Sequence, residues 1–153
     1  TLSAMGMDDF ELQVSTNVGE EPKPLAKIAS GGELSRIMLA MKNVLSDRDN
    51  VGTMIFDEID TGVSGRAAQK IGRKLHEVSA RHQVICVTHL AQVAAYADHH
   101  LFISKKVQDG KTFTSVESLG EGERTQELAR IIGGDLITPA TLSAAAELLE
   151  KSR

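Results

Sequence analysis

The sequence predicts an α/β fold: a mostly parallel sheet covered by helices, followed by a β-hairpin and two C-terminal helices. Two observations carry this. Two short apolar runs, "TMIFD" (Thr53–Asp57) and "QVICVTH" (Gln83–His89), are separated by one long amphipathic stretch, the pattern of a strand–helix–strand unit with parallel strands. Further on, "HLFISKKVQDGKTFTSVESL" places Asp109-Gly110 between two alternating runs, which is a hairpin signal.

Each element follows from local pattern. Phe10–Thr16 alternates apolar and polar residues and reads as a half-buried strand. Glu20–Lys27 is a charged loop with two prolines. From Gly32 to Leu45, the residues Leu34, Ile37, Met38, Met41 and Leu45 recur at helical spacing. The helix expected over Ser64–Arg81 turns Ala67, Ala68, Ile71, Leu75 and Val78 inward. A short helix over Leu90–Ala97 follows the second strand. Arg124–Ile132, stopped by Gly133-Gly134, and Pro139–Lys151 are the closing helices.

Composition narrows the function classes. With 153 residues, 41% hydrophobic and 25% charged, the chain is one ordinary domain with a sizeable core. A net charge of −4 does not advertise nucleic acid or an acidic membrane, and 3% aromatics argue against base-stacking platforms. Cys86, the single cysteine, lies in an apolar run and reads as a buried thiol in a reducing, cytoplasmic compartment. No apolar run of membrane-spanning length is present, so no membrane partner is expected. The chain begins at Thr1 rather than Met, which suggests a piece of something longer.

Three places could carry chemistry. "ASGGE" (Ala29–Glu33) opens a helix: Ser30 and Glu33 have capping-box spacing, while Gly31 and Gly32 bare a helix N-terminus where an anion could approach the backbone. "TMIFDE" brings Asp57 and Glu58 to the carboxyl end of a buried strand, where open α/β sheets bind ligands. Such an acidic pair can hold Mg²⁺ and position an attacking water, or merely cap a loop. Thr88-His89 ends the neighbouring strand, so His89 and Glu58 emerge on one sheet edge if the strands pair. Basic residues Arg66, Lys70, Arg73, Lys74 and Arg81 read as a solvated helix side or a nucleic acid track. Arg36 is expected to pair with an acid. His99-His100 lack ligands at metal spacing.

In this order, the three motifs resemble the ABC-type ATPases: "ASGGE" as signature motif, "TMIFDE" as Walker B strand and His89 as switch histidine. More narrowly, "PLAKIASGGELSRIMLAMKNVL", "FDEIDTGVSGRAAQKIGRKL" and "VICVTHLAQVAAYADHHLFISK" look like the C-terminal half of the RecN family, SMC-like bacterial ATPases of DNA double-strand break repair. Transporters of the wider group carry Asp where Ser64 stands, which fits the repair branch and leaves Asp60 as the D-loop acid. No G-x-x-x-x-G-K-[ST] phosphate loop occurs. The resemblance therefore implies residues 1–153 as the C-terminal lobe of an ATPase head, with residues 1–9 as a coiled-coil stub.

It implies further that Asp57 binds Mg²⁺ and Glu58 directs the attacking water. His89 would sense the ATP γ-phosphate. Ser30, Gly31, Gly32 and Glu33 would clasp, in trans, the γ-phosphate of ATP on a second head. The implied partners are the N-terminal half of the same head, a second head in a homodimer across ATP, and DNA through the full-length protein near the nucleoid. The alternative is a non-catalytic ABC-like module for dimerisation or DNA binding.

Overall fold

The computed structural model describes residues 6–7, 10–15, 18–27, 30–45, 48 and 50–152. Most of the expected coiled-coil stub, and Thr16 at the end of the first expected strand, lie outside them. That strand is shorter than the alternation suggests: only Gln13–Val14 (β1) pairs, antiparallel, with Lys23–Pro24 (β2). Phe10 and Leu12 remain exposed, so the alternation has no core to bury against. Pro24 cannot donate to a longer ladder, and the next rung is the Leu25 N–H donating to Leu12 O at 2.8 Å.

The centre is the expected strand–helix–strand unit. Helix α1 (Gly31–Leu45) precedes β3 (Thr53–Phe56), α2 (Gly65–Ser79) follows, and β4 (Gln83–Cys86) returns parallel to β3. Thr53 pairs with Gln83 and Phe56 with Cys86, and a last bond runs from Val87 N–H to Phe56 O at 2.9 Å. The strands thus stop short of the expected ends at Asp57 and His89, which lie in the loops beyond. His82, 7% exposed, sets its Nδ1 2.7 Å from Val51 O and ties the end of α2 to the entry of β3.

Alternation along β3 and β4 sends Met54, Phe56, Val84 and Cys86 to the helix side. There they meet Leu39 of α1 and Ala68, Ile71, Leu75 and Val78 of α2. Ala67, expected on that inner face, is exposed, and Gly72 takes its place. Four residues after Ala68, Gly72 stacks one turn along the buried stripe. The opposite sheet face is open: Ile55 is 70%, Val87 50% and Ile85 43% exposed. Parallel sheets ordinarily have both faces covered.

Helix α3 (Ala91–Ala94) is shorter than expected, its path continuing in tight turns through Tyr96 and Ala97. It joins two cores: Val93 packs in the sheet cluster, whereas Ala91, Ala94 and Ala95 pack against Leu128, Ala129 and Ala145. The hairpin forms as the sequence indicates, β5 (Leu101–Gln108) against β6 (Lys111–Ser118). Positive φ at Asp109 (51°) and Gly110 (72°) gives the turn whose twist matches antiparallel strands.

Helix α4 (Glu121–Gly133) starts a turn earlier than the apolar spacing suggests, because the Glu123 carboxylate accepts the Gly120 N–H at 2.8 Å and caps it. Helix α5 (Pro139–Lys151) begins on a reciprocal Thr138–Thr141 cap. Among the described residues, no helix is long and apolar enough to cross a membrane.

The seam between α2 and α3 has no slack. A Cβ at Gly72 would lie 2.5 Å from Tyr96 Cδ2 and 3.0 Å from Gln92 O. Gly72→Ala is expected to destabilise the fold by about 1–3 kcal/mol despite the better helix propensity of alanine. A urea midpoint equal to or above the parent's would show that the seam can open.

Candidate functional site

The carboxyl edge of the β3–β4 pair gathers the residues that the motifs singled out. Asp57 and Glu58 leave β3 exposed, while Ile59 (0% exposed) plugs into the core and pulls the chain inward. The reversal needs Glu58 in the left-handed region, at φ 57°, a conformation costing about 1–3 kcal/mol for a residue with a side chain. Local bonds hold it there. The Asp57 carboxylate accepts the Glu58 N–H at 2.8 Å, and Glu58 O accepts the Thr61 N–H at 3.0 Å.

Asp60 turns inward and is 3% exposed. Its Oδ2 accepts the Thr88 hydroxyl at 2.6 Å and the His89 N–H at 3.0 Å, with His89 Nδ1 3.2 Å away. Thr88 Oγ1 in turn accepts the Leu90 N–H at 3.1 Å. The carboxylate thus fixes the loop after β4 against the loop after β3 and favours the proton on Nδ1. The His89 imidazole is 73% exposed, which leaves Nε2 for a ligand.

The mouth of α1 sits against the same loop. Ser30 Oγ accepts the Glu33 N–H at 3.4 Å, so the serine half of the capping box forms. Gly31 and Gly32 have separate reasons to be glycine. A Cβ on Gly31 would lie 2.6 Å from Glu58 Oε2, so that carboxylate rests on the helix N-terminus, where the backbone dipole favours an anion. A Cβ on Gly32 would meet backbone, 2.8 Å from Glu58 O, and the Thr61 side chain at 3.1 Å. The room expected for an incoming phosphate at Gly31 is therefore taken in this structure by the chain's own Glu58.

Three contacts were not legible in the motifs. The Ser35 hydroxyl donates to Asp57 O at 2.9 Å, and Thr88 bridges Asp60 to Leu90. Among the described residues Arg36 pairs with no acid, contrary to what its charge suggested. Its Nη1 donates to Ile59 O at 3.1 Å and Thr61 O at 2.9 Å, satisfying carbonyls that the sharp turn leaves without a ladder partner. The available signal was position: Ser35 and Arg36 lie one turn beyond the glycines.

The basic side of α2 is partly neutralised, since Glu77 binds Lys74 and approaches Arg73 at 3.7 Å, and Lys74 lowers the carboxyl's pKa. A separate cleft of about 300 Å³, lined by His76, Tyr96, Asp98, Glu121 and Arg124 among others, shares no residue with the carboxyl edge. Among the described residues no three His, Cys, Asp or Glu side chains converge as metal ligands. A cation here would be held by Asp57 through water, since a hard divalent ion dehydrates reluctantly.

Comparison with solved structures bears on the fold first: it is similar to that of SMC head domains. An SMC ATPase studied for ATP-driven dimerisation and DNA-stimulated activation superposes with TM-score 0.53 and 24% identity, over 77% of this chain and 70% of that one. An Smc head domain with coiled coil and joint derived from Pyrococcus yayanosii gives TM-score 0.59 and 24% identity, over 77% of this chain and 22% of that one.

In sequence, the chain resembles the C-terminal part of DNA repair protein RecN along nearly its whole length. Identity is 50% over 151 residues with the Bacillus subtilis protein, 53% over 145 with that of Halalkalibacterium halodurans, and 46% over 149 with that of Haemophilus influenzae. The matches cover 95–99% of this chain and 26–27% of each relative, so the chain spans about a quarter of the length of these relatives. No protein-family model matches it.

Two outcomes follow from this geometry. Gly32→Ala is expected to destabilise the loop after β3, because the added methyl meets backbone, whereas Gly31→Ala need only displace a flexible carboxylate. Thermal melts of the two variants should therefore separate by several degrees, and equal melts would show that Gly32 is not the tighter position. Burial, with Asp60 and Asp57 nearby, pushes the Cys86 thiol up to about 12. At pH 8 the buried thiol therefore stays protonated and unreactive. Iodoacetamide should label the folded chain far more slowly than the urea-unfolded chain, and comparable rates would show an accessible thiol.

Proposed function

We propose that this chain is the C-terminal lobe, residues 1–153, of an ATP-hydrolysing head of a RecN-like DNA repair protein. The observation that carries the reading is the convergence of Asp57, Glu58 and His89 at one sheet edge, beside a helix mouth cleared by two glycines. A scaffold has no use for a carboxylate held on a left-handed backbone next to an exposed, pre-oriented imidazole.

In this reading Asp57 would hold Mg²⁺ through water, and the ion would supply charge neutralisation at the phosphate oxygens. Glu58 orients the attacking water and takes its proton as oxygen bonds to the γ-phosphorus. The bond to the bridging oxygen breaks, leaving ADP and phosphate. His89, its ring set by Asp60, contacts the γ-phosphate and reports its presence. Ser30, Gly31, Gly32 and Glu33 form the edge that closes on ATP held by a second head. The D-loop segment around Asp60 lies between these two sets and couples them.

The N-terminal half of the same head supplies the phosphate loop that this sequence lacks. Its natural seat is the open apolar surface: Ile55, Ile85 and Val87 on the sheet, and Leu34, Met38 and Leu45 along α1. ATP-driven pairing of heads, DNA engagement by the full-length protein and a cytoplasmic, nucleoid-associated location belong to the same proposal.

Two experiments test it. Alone, the chain should hydrolyse no ATP above background, and adding a separately produced N-terminal half should restore turnover with a steeper than linear dependence on head concentration. Micromolar ATP binding by the isolated chain in calorimetry would sink the half-site reading. In the reconstituted head, Glu58→Gln should retain ATP binding while hydrolysis falls by about 10²–10⁴. Undiminished turnover in that variant would remove Glu58 from the mechanism.

A further inference from the structure

Every residue from 105 to 114, at the tip of the β5–β6 hairpin, is exposed. The strand register fixes which of them share a face. Lys106 lies opposite Phe113 and Gln108 opposite Lys111, so these four stand together on one side of the ribbon. Phe113 is 55% exposed in a chain with only four phenylalanines, and it stands directly between a lysine across the ladder and a lysine two residues back.

We propose that this face binds single-stranded nucleic acid, with a base stacked on Phe113 and flanking phosphates held by Lys106 and Lys111. It places on the chain the nucleic acid contact that the proposed function leaves without a location. It rests on that reading only for the kind of polymer.

Charge argues for an anionic partner. The tip carries Lys105, Lys106 and Lys111 against Asp109 alone, in a chain of net charge −4. None of the three lysines has an ion-pair partner among the described residues, whereas Lys74, Arg130 and Lys151 are each paired on their own helix. An apolar protein surface would leave two cations desolvated beside the ring, which is costly. Phosphates satisfy them instead, and a base face covers the ring. The hairpin ladder pairs from Leu101–Ser118 to Gln108–Lys111 without a break, so the ring is presented by a rigid ribbon. The low aromatic content that counts against a stacking platform concerns number, and one well-placed ring suffices for one base.

The chain contains no tryptophan, so Phe113→Trp makes a reporter at the proposed contact. In ATP-free buffer, titration of that variant with a 30-mer of deoxythymidylate should quench its emission, and added salt should reverse the quench. By fluorescence anisotropy with the same labelled oligonucleotide, Phe113→Ala should bind about ten-fold more weakly than the parent, with the salt slope unchanged. Lys106→Ala with Lys111→Ala should weaken binding about ten-fold and reduce the salt slope by about 1.4. Arg66→Ala with Lys70→Ala, on α2, should match the parent.

An unquenched tryptophan at saturating oligonucleotide overturns the proposal. So does loss of binding confined to the α2 pair, or a change in sedimentation on hairpin substitution without a change in oligonucleotide binding, which would make the face a protein contact. Because no nucleotide triphosphate is present, these outcomes are independent of whether the chain serves an ATPase.

Discussion

A single buried carboxylate sets the geometry of the carboxyl edge. Asp60 is nearly inaccessible to water and must find its hydrogen bonds within the protein, since an unsatisfied buried charge costs several kcal/mol. Its donors are the Thr88 hydroxyl and the His89 backbone N–H, both just beyond β4. The loop after one strand is thereby registered against the loop after the other, where backbone ladder bonds have ended. Arg36 extends the same constraint to a third segment by bonding carbonyls on both sides of Asp60. The mouth of α1, the loop from Asp57 to Thr61 and the turn at His89 are therefore positioned as one unit.

Within that unit, the Glu58 carboxylate occupies the place that the proposed function gives to a phosphate. The Glu58 carboxylate rests on the N-terminus of α1, where the helix dipole and free N–H groups would also receive a phosphate. Under the proposed function, a phosphate approaching Gly31 would meet like charge first and would be admitted only as the carboxylate swings aside. The flexible side chain permits that movement, while the left-handed backbone beneath it stays fixed by Ile59 and the Thr61 N–H. Position and mobility are thus divided between backbone and side chain of one residue.

Much of this was legible in the sequence because it depends on local pattern. The βαβ unit announced itself through two apolar runs and an amphipathic helix, and the hairpin through Asp109-Gly110. The strand expected at Phe10–Thr16 is cut to Gln13–Val14 because alternation records a preference for a half-buried surface, and among the described residues no such surface lies beneath Phe10 or Leu12. At the site, residue types at strand ends were readable, but their partners were not. That Asp60 faces inward and Arg36 serves carbonyls depends on a turn whose handedness no spacing rule encodes. Gly31 and Gly32 look equivalent in sequence, and only the position of the Glu58 backbone separates them.

The seam where Gly72 admits Tyr96 has an optical consequence. Tyr96 is the chain's only tyrosine, and tryptophan is absent, so near-ultraviolet absorbance and intrinsic emission above the phenylalanine range arise at that ring alone. Its neighbourhood joins α2, which packs on the parallel strands, to the short helix that touches both cores. Any rearrangement that shifts the sheet-side cluster relative to the α4–α5 cluster must pass through this ring's surroundings. The native chain therefore carries a built-in chromophore at the junction of its two packed regions, readable without a label.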